Sequence, residues 1–428
     1  MVRHFIITWL VYWVAIAVLP VSSIYPAVGE AFLLQLMFVI LVLAGYGVIN
    51  VIAKAPALPQ WGGREVMDSK ILICVALALS FVGTAFLFYD KIYVQGIDYS
   101  RGIAFAREEW RRLGEHRDGQ ISSAFSVLGY LFSSGYYVAG LLVATVKGGM
   151  GQRFRLGVLV CVFVLLMANS LISGGRSNVL LLAVFFLGAV SSREGWRFSC
   201  LVGSKLARAL LFFMMLWSVF YTLYVFYQRA EASNLTAIEY VSGFLPFLGL
   251  EIDQWYAGAM GDNYLSSLLA IVVLAVSYVT HSFSTTAAII DGVQEDKVIV
   301  FLHAMNIFYK LGLVAPPDSS WFLAGRFPSL PGALWYQYGG FCFPVLCFFV
   351  GVVCALVRLV FLRAPSSILV FSLYVSSYAV LVLSPVLLAL DFMSFPFVIL
   401  SFIQIAMFAW FVGLLRRAFG RPARIQLH

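Results

Sequence analysis

The sequence predicts an all-α fold, a polytopic transmembrane helical bundle of about 12 helices with amphipathic and irregular segments on one side of the bilayer. Three observations carry this. Of the 428 residues, 62% are hydrophobic and only 11% charged, whereas a soluble domain carries about 25% charged residues. The apolar runs have the ~20-residue length of membrane helices, not the ~10-residue alternation of barrel strands. The basic residues fall in short loops between those runs, which is the pattern that orients a membrane protein.

Windows of about 19 residues place spans at 5–22, 31–53, 71–89, 121–146, 156–173, 177–191, 207–227, 265–287, 298–314, 341–361, 366–388 and 394–414. Together they form a single polytopic domain, 1–428. The first run begins at His4 and lacks a small-residue cleavage site, so it reads as a membrane helix and not a removed signal peptide. The fifth and sixth spans are separated only by Gly174-Gly175-Arg176-Ser177. The ninth contains His303, Asn306 and Lys310, and a re-entrant or cavity-lining course would suit such polar content. The six cysteines, Cys74, Cys161, Cys200, Cys342, Cys347 and Cys354, show no CxxC spacing and read as small apolar side chains.

Charge placement orients the frame. With the N-terminus inside, eighteen of the 28 Lys/Arg but only six of the 20 Asp/Glu lie on the inner side. The positive-inside bias then puts both termini in the cytoplasm, anchored by the tail Arg416, Arg417, Arg421 and Arg424. One inner loop, Asp291–Lys297, is acidic and runs against the bias. No Walker motif or nucleic-acid motif is present, and the inner loops are short. Chemistry is therefore expected on the outer face, in the long segments 90–120, 228–264 and 315–340.

The segment 90–120 holds six Lys/Arg and six Asp/Glu, with Ile103, Ala106, Trp110 and Leu113 at helical spacing. It reads as an amphipathic helix lying on the membrane. Its Arg101, Arg107 and Arg111 suit phosphate oxygens, which guanidinium forks match. Arg176 stands at a Gly-rich turn, where a charge near the membrane boundary is costly unless paired. In 228–264, Arg229 follows the seventh span, and Ser233-Asn234 is read as the cap of a short helix running to Val241. Glu251 and Asp253 beside Trp255 and Tyr256 offer acceptors for sugar hydroxyls and faces for a sugar ring. From His281 onward come His303, Lys310 and Arg326. Pro316, Pro317, Pro328 and Pro331 predict a rigid, non-helical loop to residue 340, lined by Trp335 and Tyr336. His281, His303, Glu251 and Asp253 are all candidate bases, and the sequence does not choose among them. Metal-ligand spacings, GxSxG and paired DxD are absent from the sequence, so neither metal nor serine-hydrolase chemistry is expected.

With these residues in view, the chain resembles the O-antigen polymerase (Wzy) family. The likeness rests on the polytopic frame, on GIDYSRGIAFAREEW followed by FSVLGYLFSSGYYVAG, on SGGRSNVLLL between consecutive helices, and on the late outer loop PSLPGALWYQYGGF. It covers about residues 90–345. The resemblance implies a glycosyltransferase that joins O-antigen repeat units carried on undecaprenyl diphosphate, without cofactor or metal. The site would be the periplasmic face of the bacterial inner membrane. It implies that Arg176, Arg229 and Arg326, then Arg101, Arg107 and Lys310, stabilise the leaving diphosphate, while Trp255, Tyr256, Trp335 and Tyr336 hold the sugar. The expected partners are the lipid-linked oligosaccharide and membrane lipid, with a chain-length regulator left open and nucleic acid excluded. An O-antigen ligase and a lipid-linked oligosaccharide flippase are the rival readings.

Overall fold

The computed structural model describes residues 1–53, 66–115, 123–145, 150–173, 177–192, 205–259, 263–292, 299–305, 307–310, 312–315, 321–323 and 325–418. In order the elements are α1 (Val2–Val18), β1 (Val21–Ser23), α2 (Val28–Ile52), α3 (Val66–Tyr89), a π turn (Asp90–Val94), α4 (Ile103–Glu115), α5 (Ala124–Ser133), α6 (Gly135–Thr145), α7 (Gln152–Ser173), α8 (Ser177–Ser191) and α9 (Lys205–Ala232). There follow α10 (Ala237–Phe244), a 3-10 turn (Pro246–Leu248), β2 (Leu250–Ile252), α11 (Gln254–Ala259), α12 (Tyr264–Thr280), α13 (Ser282–Ile290), α14 (Val300–Ala304) and α15 (Ile307–Lys310). The chain continues through α16 (Leu330–Arg363), α17 (Ile368–Leu383), a second 3-10 turn (Ala389–Asp391) and α18 (Ser394–Ala418).

Among the described residues, six helical stretches are long and apolar enough to cross a bilayer. They are Val28–Ile52, Ser69–Val94, Ala124–Thr145, Gln152–Ser173, Leu330–Arg363 and Ser394–Leu415, and the bent pair α12–α13 makes a seventh if taken as one span. The expected twelve are not supported among these residues. Hydropathy windows register apolarity and not helix length: α1, α8 and α17 are apolar but only 17, 15 and 16 residues long, against the ~20 that a bilayer needs. The window 298–314 breaks into the five-residue α14 and four-residue α15. The window 207–227 lies in the 28-residue α9, part of whose side chains fall outside the description.

Three apolar cores organise the bundle. One gathers α3, α6, α7, α8, α17 and α18. A second gathers α1, α2, α13, α14 and α16. A smaller third joins α9, α10, the first 3-10 turn and α12. Between α2 and α16 the backbones nearly touch. A Cβ on Gly45 would stand 2.1 Å from the carbonyl oxygen of Phe348, and one on Gly351 would stand 2.1 Å from that of Val42. Lipid tails are as apolar as leucine, so membrane helices gain by such close small-residue packing.

One end of the molecule is built from the connections. β1 pairs antiparallel with β2, Val21 opposite Ile252 and Ser23 opposite Leu250. The sharp turn into β2 needs Gly249 at φ +75°, where a side chain would also strike the Tyr25 ring. At this same end the Ala27 N–H, at the start of α2, donates to Asp291 Oδ2 at 3.4 Å. The hydropathy reading put Ala27 on the outer side and Asp291 on the inner side, and this contact brings the two to one end. α12 and α13 meet at His281 with a 49° bend, and their far end returns to the β1–β2 end. The carbonyl of Thr280, at the break, accepts from the Tyr12 hydroxyl at 3.2 Å, which satisfies that acceptor in the apolar interior.

Two further expectations change. The short helix after α9 is capped by Thr236, not Ser233-Asn234: Thr236 and Glu239 form a reciprocal capping box, and Asn234 sits left-handed at φ 53°. The loop expected to be non-helical to residue 340 becomes helix at Leu330. The Ser329 side chain caps it by accepting from Gly332 N–H, and Pro331 occupies the first turn, where a missing N–H costs nothing. A helical break follows at Gly339, φ 69°.

Candidate functional site

The polar groups converge at the β1–β2 end. α4 forms there as the sequence predicts, with Ala106 buried and Trp110 half-buried beneath it. Three fastenings hold it down. The Lys91 ammonium, 2% exposed, sits 3.8 Å from the centre of the Trp110 ring. The Tyr99 hydroxyl donates to the carbonyl of Ile172 at the end of α7 at 3.0 Å. Gly102, at the start of α4, packs close to Gln228 of α9. α4 thus lies as a roof across the ends of α3, α7 and α9.

Under this roof Arg107 and Arg229 lie near enough to act on each other electrostatically. Burial, and then the Arg229 guanidinium, draw Arg107 down to about 10, while the phenols of Tyr278, Tyr221 and Tyr240 act in the opposite direction. The phenols lead onward. Tyr278 stands edge-on to Phe226, with ring centres 5.9 Å apart, and against Phe244 at 6.4 Å. Phe244 meets Phe247 at 5.7 Å. Arg326 closes the row: its Nε donates to the Phe247 carbonyl at 2.7 Å and Nη1 to the Phe322 carbonyl at 2.9 Å. Its guanidinium also covers the Phe322 ring at 4.3 Å. Arg107, Arg229 and Arg326 therefore flank one aromatic wall.

His281 braces this wall. It is 1% exposed, and both ring nitrogens are engaged. Nε2 accepts from the Phe327 N–H at 3.2 Å, so Nδ1 carries the proton and donates to the Tyr278 carbonyl at 2.7 Å. A histidine in that state has no lone pair left for a substrate proton. It positions the segment that carries Arg326.

Glu251 is exposed on β2, opposite Ser22. The Asp253 N–H donates to the Pro20 carbonyl at 3.1 Å. Both carboxylates follow the turn that carries Phe247. Trp255, 67% exposed, stands edge-on to Tyr256 at 5.7 Å. A second group lies on the other side of the Trp321-Phe322 turn. The His303 ring is 5.4 Å from Trp321 and its Nδ1 pairs with the Ile299 carbonyl at 3.0 Å. Trp321 Nε1 donates to the Tyr336 hydroxyl at 3.5 Å. Trp335 packs edge-on to Phe343 and belongs to the α16 core more than to an open face. Arg101 is exposed and lies over Phe105 at 5.0 Å, outside the Arg107 group. Arg176, the side chains of Arg111 and Lys310, and the basic tail at 416–417 and 419–428 lie outside the described residues.

Two features were missed from the sequence. The Tyr221–Tyr240–Tyr278 wall has no motif, although Tyr278 stands one helical turn before His281. Asp391 is the lone acid after Asp318; its Oδ2 is buried without a hydrogen bond, and burial holds its carboxyl well above the usual range. A signal existed for Asp391, since an acid inside VLLALDFM is costly unless it has a role. Compared with known proteins, the chain matches no family model, no curated protein and no solved structure.

Proposed function

We propose that this membrane protein joins repeat units carried on undecaprenyl diphosphate, as an O-antigen polymerase of the bacterial inner membrane. The observation that supports the reading best is the pair Arg107–Arg229 beneath α4, facing three phenols, with Arg326 at the far end of the same aromatic wall. In the proposed reaction a sugar hydroxyl of the incoming unit attacks the anomeric carbon of the growing chain. The bond from that carbon to the diphosphate oxygen breaks, and the diphosphate leaves with the electron pair. Preorganised guanidiniums stabilise the charge it gains, and loss of one such donor costs roughly 3 kcal/mol of barrier, about 100-fold in rate. The hydroxyl proton passes to Glu251 or Asp253, next to the Phe247 turn, because His281 is already occupied. The β1–β2 end faces the periplasm in this reading. Placing Asp291 at that end removes an acid from the inner side and sharpens the charge asymmetry that orients the chain.

The test is chromosomal replacement with Arg107→Ala, Arg229→Ala and Arg326→Ala, scored by O-antigen ladders. Each is expected to collapse the ladder to one repeat unit while protein level holds. Full-length ladders from all three overturn the reading. Lipopolysaccharide with no O-antigen attached at all identifies a ligase instead.

A further inference from the structure

We propose that His303, Trp321 and Tyr336 form a binding subsite for a neutral sugar ring, on the opposite side of the 321–326 turn from Arg326. The inference rests on the reading above and gives the glycan a place distinct from the diphosphate. Three elements build the subsite. The Val300 N–H, at the start of α14, donates to Gln337 Oε1 of α16 at 2.9 Å. That bond pins α14, and so His303, to the helix that carries Tyr336. The Trp321 indole Nε1 donates to the Tyr336 hydroxyl at 3.5 Å, and both rings rest on the second apolar core. The His303 imidazole stands 5.4 Å from the indole, with the two planes tilted by 58°, so the pair makes a corner. All three side chains are half-buried, held by the core and still reachable.

The polar chemistry of the corner is one-sided. The Ile299 carbonyl can only accept, so Nδ1 of His303 carries the proton of the neutral ring and donates to it at 3.0 Å. Nε2 keeps its lone pair and meets no donor among the described residues. His281 is the contrast, since both of its nitrogens are engaged. An unengaged acceptor beside an indole face suits a sugar ring: its C–H groups lie on the electron-rich face, and a rim hydroxyl donates to the nitrogen. The turn separates this corner from the cationic side. Trp321 faces His303, whereas the next residue, Phe322, lies under the Arg326 guanidinium at 4.3 Å. Arg326 donates to the Phe247 and Phe322 carbonyls and pairs with no carboxylate among the described residues. Phosphate therefore belongs on the Arg326 side of this short turn, and neutral hydroxyls on the Trp321 side.

The experiment uses diethyl pyrocarbonate, which acylates a reachable, unprotonated imidazole nitrogen, on the full chain in nanodiscs. The probe is O-polysaccharide released by mild acid from the host strain's own lipopolysaccharide. His303 is expected to be modified and His281 spared. Saturating polysaccharide should slow the reaction at His303 roughly tenfold, and inorganic pyrophosphate should leave it unchanged. Saturation-transfer NMR reads the same binding from the sugar. Trp321→Leu and His303→Leu should each lower its signal roughly tenfold. His303→Gln, whose side-chain carbonyl accepts in place of Nε2, should keep most of it, as should Tyr264→Leu at an exposed ring that opens α12. If Trp321→Leu does not fold, protection of His303 in the unaltered protein decides. No protection, equal protection by pyrophosphate, or a sugar signal indifferent to both leucine variants overturns the subsite. Protection in a protein whose deletion leaves the O-antigen ladder intact sinks the polymerase reading alone. A ladder lost on deletion, with His303 unprotected, sinks the subsite alone.

Discussion

The main-chain N–H of Phe327 donates to Nε2 of His281 at 3.2 Å, across 46 residues of sequence. That one bond joins the break between α12 and α13 to the segment holding Arg326. His281→Ala leaves a buried N–H without an acceptor, at a cost of about 1–3 kcal/mol. Its expected effects are a melting temperature lower by several degrees and shortened ladders. His281→Gln, which restores an acceptor, is expected to recover most of both, without altering the pH profile of polymerisation in membranes. A profile that loses a limb with His281→Gln makes His281 the base instead.

The Arg229 guanidinium acts on Arg107 as a like charge. Arg229→Gln removes that repulsion, so the purified variant is expected to melt at or above the temperature of the unaltered protein. Its polymerising activity should still fall about 100-fold. Differential scanning fluorimetry beside ladder analysis separates the two effects. Lower stability together with lower activity means that Arg229 is merely structural.

Asp291 and Ser22 are exposed at one end of the bundle and Gly151 at the other. In a background without the native cysteines, a membrane-impermeant maleimide is expected to label Ser22→Cys and Asp291→Cys from the same side. Gly151→Cys is expected to react only after permeabilisation. Opposite labelling of positions 22 and 291 restores the topology that hydropathy alone proposes.

Burial raises the Asp391 carboxyl well above its ordinary value of 3.8. The folded state therefore binds a proton that the unfolded state has released, and stability declines as pH rises above 3.8 towards the shifted value. Asp391→Asn, a neutral near-isostere, is expected to flatten that decline. Melting curves across the acidic range check it.

Gly45→Leu is expected to abolish folded protein in detergent, because its Cβ meets the Phe348 carbonyl at 2.1 Å. Gly47→Ala, two residues on and in open space, is expected to melt as the unaltered protein does. Equal yields for the two remove the close approach of α2 and α16 from the account.

Membrane residence and helical class were legible because lipid must replace the water that so few charges cannot hold. α4 was legible from its apolar stripe. The span count was not, since hydropathy is averaged along the chain, whereas the break at His281 is held by hydrogen bonds to distant segments. For the same reason Arg107 and Arg229, 122 positions apart, carry no spacing that announces their pairing. Of the candidates, Arg229, Arg326, Glu251 and Asp253 stood out as isolated charges in apolar surroundings. His281 stood out for that reason as well, and its partners turn it from a base into a brace.

The close fit of α2 against α16 has a consequence for synthesis. The two are separated by nearly 280 residues, so the ribosome releases α2 long before its partner exists. Until then Gly45 lacks the Phe348 backbone that it packs against in the finished protein. The inner pillar of the molecule is therefore among the last parts to be completed. A nascent chain stopped before residue 330 carries α4 and α9, and so Arg107 and Arg229. It lacks the helix that seats α2.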